Sequence, residues 1–294
     1  MKKLIPIIVF LIILIPQRIF ASTNYNTLTL TPTLTRISLS RGDIYKGKIK
    51  IINNSVKTAY ISVGIVGFRQ NGNSNTPLFS KKINNKSQAI HWVHIKNIQS
   101  IKGNTNLELK YIINIPTNAS SGGHYIAIII NKRIGNTNIE ESLRSLIIID
   151  IKGKMKISGF VKTFSTSNFF NFSNKIVFNI NFENTGDIEL APQGFIIIKN
   201  LWGGVVNIIP INPTSSLDLS HSQRKYQNIW NNKGFLYDSG IYNAQLILNY
   251  GYGSTFYNIN KNIKFYIINP LYVIILLGII IFIYIIIKKK WGKK

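Results

Sequence analysis

Lys48-Ile49-Lys50-Ile51 alternates charged and aliphatic side chains with a period of two, the pattern of a strand with one wet face and one buried face. Residues Tyr125 to Ile130 are apolar at every position, as expected of a central strand covered on both sides. Runs rich in Ile, Val, Thr, Phe and Tyr recur about every ten to fifteen residues between clusters of Asn, Gly, Ser and Pro. The chain is therefore predicted to be all-β and built of sandwiches.

The predicted strands divide into two sets of seven, separated at Lys152-Gly153-Lys154. Each set suits one immunoglobulin-like sandwich, so we expect two tandem domains, at residues 22–153 and 154–268. In the first domain the opening strand is predicted over Thr27 to Leu39, and a later one over Ile90 to Ile95. A single transmembrane helix is expected to follow the second domain.

A short internal repeat supports this duplication. Ser121-Gly-Gly123-His-Tyr125-Ile-Ala127 and Asp238-Ser-Gly240-Ile-Tyr242-Asn-Ala244 share a Gly-x-Tyr-x-Ala pattern, with the tyrosines 117 residues apart. The second copy is similar to a tyrosine corner, in which the hydroxyl bonds back to upstream backbone. This pattern predicts structural roles for Tyr125, Tyr242, Gly123 and Gly240.

The N-terminus has the three parts of an export signal. Lys2 and Lys3 precede an apolar run from Leu4 to Ile15, and small residues follow at Ala21-Ser22. Residues 1–21 are predicted to be a signal peptide cleaved after Ala21. An uncleaved N-terminal anchor is the alternative, and both outcomes export the residues that follow.

The C-terminus predicts a membrane span at residues 269–287. The stretch from Leu271 to Ile287 contains no charge, and with Pro270 and the residues before it the run reaches the ~20 residues that a bilayer requires. Five lysines in residues 288–294 then predict a cytoplasmic basic tail, with the N-terminal region outside the cell. A buried core helix is the alternative.

The charge of the exported region suggests an anionic partner. Without the eight basic residues of the two ends, 27 basic and 10 acidic residues remain, a net charge of +17. Such a surface attracts anionic cell-envelope polymers or lipid headgroups, although an excess of Lys beside abundant Ile and Asn also fits compositional drift. Nucleic acid is disfavoured, because the domains are predicted to face outward and no recognition motif is visible.

No pattern in the sequence predicts an enzyme, a metal site or a cofactor. His91 and His94 would point to opposite faces of a strand, and cysteine is absent. Ser222-Gln-Arg-Lys225 matches one motif of the penicillin-binding enzymes, but the partner motifs are missing. Ten scattered acidic residues offer little for paired-carboxylate catalysis.

Aromatic residues in the second half are the candidate ligand contacts. Most alternate as core residues do, but two groups fall outside clear alternation. These candidates for ligand binding are Phe169, Phe170, Phe172, Tyr250 and Tyr252. Filling of the sandwich core is the alternative role for such rings.

Several short motifs together resemble a known group of bacterial surface proteins. They are Asn53, Pro116-x-x-Ala119-x-x-Gly122-Gly123-His124-Tyr125, Asn184-x-Gly186 and Gly240-x-Tyr242. Together with the order of signal, two sandwiches, helix and basic tail, they resemble proteins related to WxL-interacting proteins.

That resemblance implies a non-enzymatic envelope protein, whose first domain is associated with peptidoglycan and whose second is associated with a surface protein partner. We therefore expect a membrane-anchored cell-surface binding or scaffold protein that engages an anionic cell-envelope polymer or a surface protein. An accessory subunit of a membrane protein complex is the alternative.

Overall fold

The computed structural model describes residues 27–72, 76–80, 85–134, 138–234 and 238–291. The predicted signal peptide and the last three tail residues lie outside these ranges. The described residues form eighteen strands, one 3-10 helix (Asn85–Trp92) and one long α-helix, α1 (Pro270–Trp291). The first ten strands are β1 (Leu28–Thr31), β2 (Leu34–Leu39), β3 (Ile44–Asn53), β4 (Ala59–Gln70), β5 (Pro77–Ser80), β6 (Val93–Ile95), β7 (Ser100–Ile101), β8 (Asn106–Asn114), β9 (Gly122–Ile134) and β10 (Asn138–Ile151). The other eight are β11 (Gly159–Thr166), β12 (Phe170–Asn171), β13 (Lys175–Asn184), β14 (Gln193–Asn200), β15 (Val205–Ile211), β16 (Ser222–Asn231), β17 (Gly240–Tyr252) and β18 (Thr255–Ile267).

Strands β1 to β10, here called the first half, form two sheets around one core. One sheet has the order β1-β3-β8-β6, and the other has the order β2-β10-β9-β4-β5, with β7 paired to β4. Ile49 and Ile51 of β3 point into the core while Lys48 and Lys50 point out, as period-two alternation requires. The core consists largely of fully buried aliphatic side chains from both sheets, including Leu28, Leu109, Ile113, Ile126, Ile128, Ile130, Ile147 and Ile149.

Strands β11 to β18, here called the second half, repeat this arrangement. The sheet β11-β13-β16 packs against the sheet β12-β18-β17-β14-β15. The core is richer in aromatic rings, and its fully buried members include Phe178, Phe182, Ile196, Ile198, Leu246, Leu248 and Phe265. The chain is thus mostly β, as the sequence predicted.

Two predicted strands differ in the structure. The run from Thr27 to Leu39 is divided at Pro32, so that β1 pairs antiparallel with β3 while β2 pairs parallel with β10 in the other sheet. In the predicted strand from Ile90 to Ile95, residues 90–92 belong to the 3-10 helix and only Val93–Ile95 forms a strand, β6. Trp92, the last residue of this helix, is buried, with its ring 4.7 Å from that of His124. This burial outweighs the preference of the segment for a strand.

Helix α1 begins three residues after β18 ends. Asn269 caps the helix by accepting a hydrogen bond from the Leu271 amide at 2.9 Å, and Pro270 occupies the first helical position. The 22 residues of α1 extend about 33 Å, close to the ~30 Å of a bilayer core. None of the segment Pro270–Lys289 is buried against the rest of the described structure, so the core-helix alternative is wrong. The helix is long and apolar enough to span a membrane.

Candidate functional site

The two halves meet in a joint with a small apolar centre. Val66, Phe68 and Ile148, from the outer face of the first half, pack with Leu217 and Leu219 of the second half. The contact holds the loop between β15 and β16 against β4 and β10. Because these side chains leave water together, the joint has a hydrophobic core of its own.

Tyr125 connects the halves through its hydroxyl group. The hydroxyl donates to a Glu189 carboxylate oxygen at 3.2 Å and accepts a hydrogen bond from the Ser220 amide at 3.0 Å. The neighbouring Gly123 amide donates to the carbonyl of Asp187 at 2.8 Å. A Cβ at Gly123 would overlap the Tyr125 hydroxyl, so this close approach requires glycine.

Gln70 makes a second set of polar contacts across the joint. Its amide nitrogen donates to the Gln223 carbonyl at 2.9 Å. Its amide oxygen accepts from the Leu219 amide at 3.0 Å and from the Ser222 hydroxyl at 3.1 Å. With both ends of its side chain bonded to the second half, Gln70 fixes the register between the halves.

An ionic cluster around Arg36 lies beside the joint. Arg36 Nε donates to an Asp150 carboxylate oxygen at 3.1 Å, and its guanidinium also pairs with Glu189 of the second half. Tyr252 donates its hydroxyl to Asp150 at 3.2 Å, and its ring lies 5.6 Å from the Arg36 guanidinium. Arg36 is 41% exposed, whereas the side chains of Asp150 and Glu189 are 4% and 0% exposed.

The environment of Glu189 perturbs its titration. Burial, followed by the nearby negative charge of Asp150, raises the pKa of Glu189 to about 7, while Arg36 opposes this rise. The cluster therefore changes its net charge near neutral pH. No such group was expected from the sequence.

A cleft runs between the halves along the outer face of β2 and β10. It consists of two cavities of about 420 and 400 Å³, and Leu217 borders both. Arg36, Asp150, Glu189, Tyr252 and Phe256 line the first cavity, which is the more polar one. The second, more apolar cavity is lined by residues including Leu34, Phe68, Pro77, Leu146, Ile148 and Leu219.

Strand β2, which lines both cavities, has a free edge. It is the terminal strand of its sheet among the described residues and pairs with β10 alone. The carbonyls of Thr33 and Leu39 accept hydrogen bonds from the β10 side. Because backbone groups alternate in direction along a strand, those of Leu34, Arg36 and Ser38 point to the unpaired edge. This edge can accept another extended chain.

The predicted aromatic ligand contacts are not brought together. Tyr252 lines the cleft, but Tyr250 is only 7% exposed, with its ring 5.4 Å from those of both Phe182 and Tyr257. Residues 250–252 continue β17, so alternation directs Tyr250 inward. Its ring is therefore unavailable to a ligand. Phe169, Phe170 and Phe172 are exposed, but they lie at the far end of the second half, beside the start of α1.

Among the residues expected to be structural, Tyr242 donates its hydroxyl to the Asp238 carbonyl at 2.9 Å, the contact of a tyrosine corner. Tyr125 instead makes the contacts across the joint. Gly240 has a φ of +155°, and Gly123 lies in the joint. The repeated motif therefore has a different environment in each half.

Sequence reasoning missed Arg36, Asp150 and Glu189. The only available signal was a carboxylate at the end of an apolar strand, at Asp150, and another between Ile188 and Leu190. These acids belong to different halves, so no spacing along the chain could associate them.

A second surface feature is a lysine face on the first half. Lys46, Lys48, Lys50 and Lys110 are exposed on the outside of β3 and β8, and Lys48 lies directly opposite Lys110. Glu108 pairs with Lys48 at 3.1 Å. Like charges directly opposite each other destabilise a sheet, so this face is suited to an anionic ligand that would relieve their repulsion.

Within the described ranges, no group of three His, Asp or Glu side chains is arranged to hold a metal ion. No protein-family model matches the chain. No curated protein matches it in sequence.

Solved structures that partly match the chain path include chaperones of fimbriae and pili. The class 5 fimbriae chaperone CfaA is 10% identical, with a TM-score of 0.39 over 80% of this chain and 98% of that one. The chaperone–tip adhesin complex of CFA/I fimbriae is 8% identical, with a TM-score of 0.40 over 80% of this chain and 97% of that one. The CsuC–CsuE pre-assembly complex of Acinetobacter baumannii is 12% identical, with a TM-score of 0.35 over 68% of this chain and 89% of that one. The resemblance to WxL-interacting proteins stays a prediction.

Proposed function

We propose that this chain is a non-enzymatic binding protein, anchored in the cell membrane by α1, that holds an extended segment of a partner protein in the cleft between its halves. The observation that carries the proposal is the cleft along β2, with the free edge of that strand beside it. Main-chain hydrogen bonds to such an edge provide affinity, and pockets for alternate side chains provide specificity.

The chemistry of the cleft defines the segment that would fit. The cavity near Leu34 and Ile148 suits an apolar side chain, because apolar groups predominate there. The cavity at Arg36 suits a hydrogen-bonding side chain, because the guanidinium is partly exposed and two buried carboxylates already balance its charge. The predicted ligand is thus an extended peptide with an apolar and a polar residue on one face.

The joint supports this role by fixing the cleft walls before a ligand arrives. Tyr125, Gln70 and Arg36 each bond across from one half to the other. A site with preformed walls needs little reorganisation on binding, so less of the interaction energy is lost to ordering.

The proposed location follows from the ends of the chain. We infer that the signal peptide at residues 1–21 is removed, that the two immunoglobulin-like domains face outward and that the lysine tail stays in the cytoplasm. A single-pass cell-surface protein results.

The test uses the full chain in lipid nanodiscs, with short random peptides displayed on phage as the probe. Selected peptides are expected to slow amide exchange in β2 (Leu34–Leu39), and Leu34→Asp is expected to weaken their binding. Ile139→Asp is the matched control, since Ile139 is exposed but does not line the cleft. Selected peptides that bind the Leu34→Asp variant as well as they bind the unmodified chain would show that the site lies elsewhere.

A second candidate function, binding of an anionic cell-envelope polymer, is favoured by the lysine face. The same nanodiscs would be applied to purified cell wall at low and high salt. Lys110→Gln should reduce retention at low salt more than Lys264→Gln, because Lys264 lies on the second half. Equal effects of the two substitutions, or retention that salt leaves unchanged, would exclude this face as the binding surface.

A further inference from the structure

Two sets of exposed apolar side chains lie at the end of the second half from which α1 emerges. Phe169, Phe170 and Phe172 form one set, on and around β12. Leu201 and Trp202 form the other, in the turn between β14 and β15, and Trp202 is 89% exposed. Neither set belongs to the cleft.

Strand pairing places both sets at the end of the sheet where α1 begins. Asn200, which precedes the turn, is opposite Tyr242, and Tyr242 is opposite Phe265 near the end of β18. On the other side of β18, Phe170 is opposite Tyr266. Since α1 starts three residues after β18, both sets flank the point at which the helix leaves the sheet.

Local contacts hold both sets in place. The Asn200 side-chain oxygen accepts hydrogen bonds from the Trp202 amide at 3.1 Å and the Gly204 amide at 2.8 Å, which fixes the turn. The ring of Phe169 lies 4.9 Å from that of Tyr266. The apolar groups are therefore presented outward on ordered backbone instead of folding back on the domain.

We propose that these two sets rest in the phospholipid headgroup layer of the leaflet that α1 enters. This inference depends on the proposed membrane anchorage by α1. Trp and other amphipathic or aromatic side chains favour the interface, and lysine stems can extend to anionic headgroups. Lys175 and Lys233 are exposed near this end, where the Asn232 amide donates to the Asn174 carbonyl. Both sets lie beside the start of α1, and a surface at that position is brought to the bilayer when α1 spans it. Lipid is therefore favoured over a protein partner.

The separation of the two sets gives this contact a mechanical consequence. Strand β12 is three strands away from β14, which at ~4.8 Å a strand is roughly 14 Å across the sheet. Contacts on both sides of the helix root would restrain tilting of the second half on the membrane. The rigid joint would then hold the cleft at a defined height above the lipid.

Tryptophan fluorescence of the full chain in lipid nanodiscs tests this inference. The chain has four tryptophans, of which Trp92 and Trp230 are buried in the two halves. The signal of Trp202 is the difference between Trp291→Phe and the double variant Trp202→Phe/Trp291→Phe. The signal of Trp291, at the other end of α1, is the difference between Trp202→Phe and the same double variant.

The probe is phosphatidylcholine with a doxyl group near its headgroup. Trp202 emission should shift to shorter wavelength in nanodiscs and lose intensity when the label is present. Val56→Trp in the double-variant background is the matched control; this exposed position on the first half should show no quenching.

Three outcomes are distinguishable. Quenching of both Trp202 and Trp291, without quenching at position 56, supports the inference. Quenching of Trp291 alone overturns it and leaves the anchorage intact. Quenching of neither overturns the proposed anchorage, and this inference fails with it.

Discussion

Arg36 and Glu189, 153 residues apart in the chain, form an ion pair that joins the first half to the second. Arg36 is partly exposed on β2, whereas Glu189 is buried and its charge has few other partners. A buried carboxylate that loses its cation is costly, so the joint depends on this pair. The pair also lines the proposed ligand cleft.

A double-mutant cycle should measure this coupling. Above pH 7, where Glu189 is ionised, Arg36→Ala is expected to lower the free energy of unfolding, and to lower it less in the Glu189→Gln background, which has no buried carboxylate left without its cation. Contacting charged residues typically couple by about 0.5–3 kcal/mol, and partial exposure of Arg36 favours the lower part of that range. Urea unfolding of the full chain in detergent micelles, followed by near-ultraviolet circular dichroism, provides the values. Strict additivity would show that the pair does not stabilise the joint.

Stability should fall as pH rises from about 4.5 to about 7. The pKa of Glu189 is raised from its ordinary 4.5 to about 7, chiefly by burial, and burial likewise raises that of Asp218 from 3.8 to about 7. The folded state therefore holds protons that the unfolded state has already released. The free energy of unfolding is highest below the pKa values that these groups have in the unfolded state, and it is lowest above pH 7. Thermal unfolding midpoints across this range provide the measurement.

Substitution of Glu189 should flatten this pH profile. Glu189→Gln removes one of the two titrating groups. Adding Asp218→Asn should remove most of the pH dependence that remains. Glu108→Gln, which removes an exposed carboxylate from the outer face of the first half, is the control substitution. A profile that keeps its slope in the Glu189→Gln variant would contradict the assignment.

Asn184→Ala should destabilise the second half. The buried Asn184 side chain donates to the carbonyls of Ile188 at 2.8 Å and Asp218 at 2.9 Å, and accepts from the Gly186 amide at 2.9 Å. Removing it leaves these groups without that partner, at a cost of about 2 kcal/mol or more. Asn179→Ala, on the outer face of the same strand, should cost less than about 1 kcal/mol. Similar unfolding curves for the two variants would contradict this prediction.

Gly123→Ala should open the joint. The new methyl group would overlap the Tyr125 hydroxyl and lie 2.9 Å from a Glu189 carboxylate oxygen, so the contacts between the halves must shift. We expect faster amide exchange at Ser220, whose amide bonds to Tyr125. Gly64→Ala is the matched control, because no heavy atom lies within 4 Å of its added Cβ. Unchanged exchange at Ser220 in both variants would show that the joint tolerates the methyl group.

The sequence by itself determined the β class and the apolar C-terminal helix. Both follow from local patterns. Alternation in β3 places Lys48 and Ile49 on opposite faces of the strand, whichever strands pair with it. In α1, an uncharged run long enough for a bilayer is visible without any partner.

Only the tertiary structure decided where the strands end and which polar residues meet. Tyr250 and Tyr252 lie on the same face of β17, but Tyr250 packs against Phe182 in the core, whereas Tyr252, at the end of the strand, bonds to Asp150 of the first half. Arg36, Asp150 and Glu189 converge because β2 pairs with β10 and the second half then packs against that face. Such contacts depend on the docking of distant surfaces, whereas periodicity records only whether each side chain faces inward or outward.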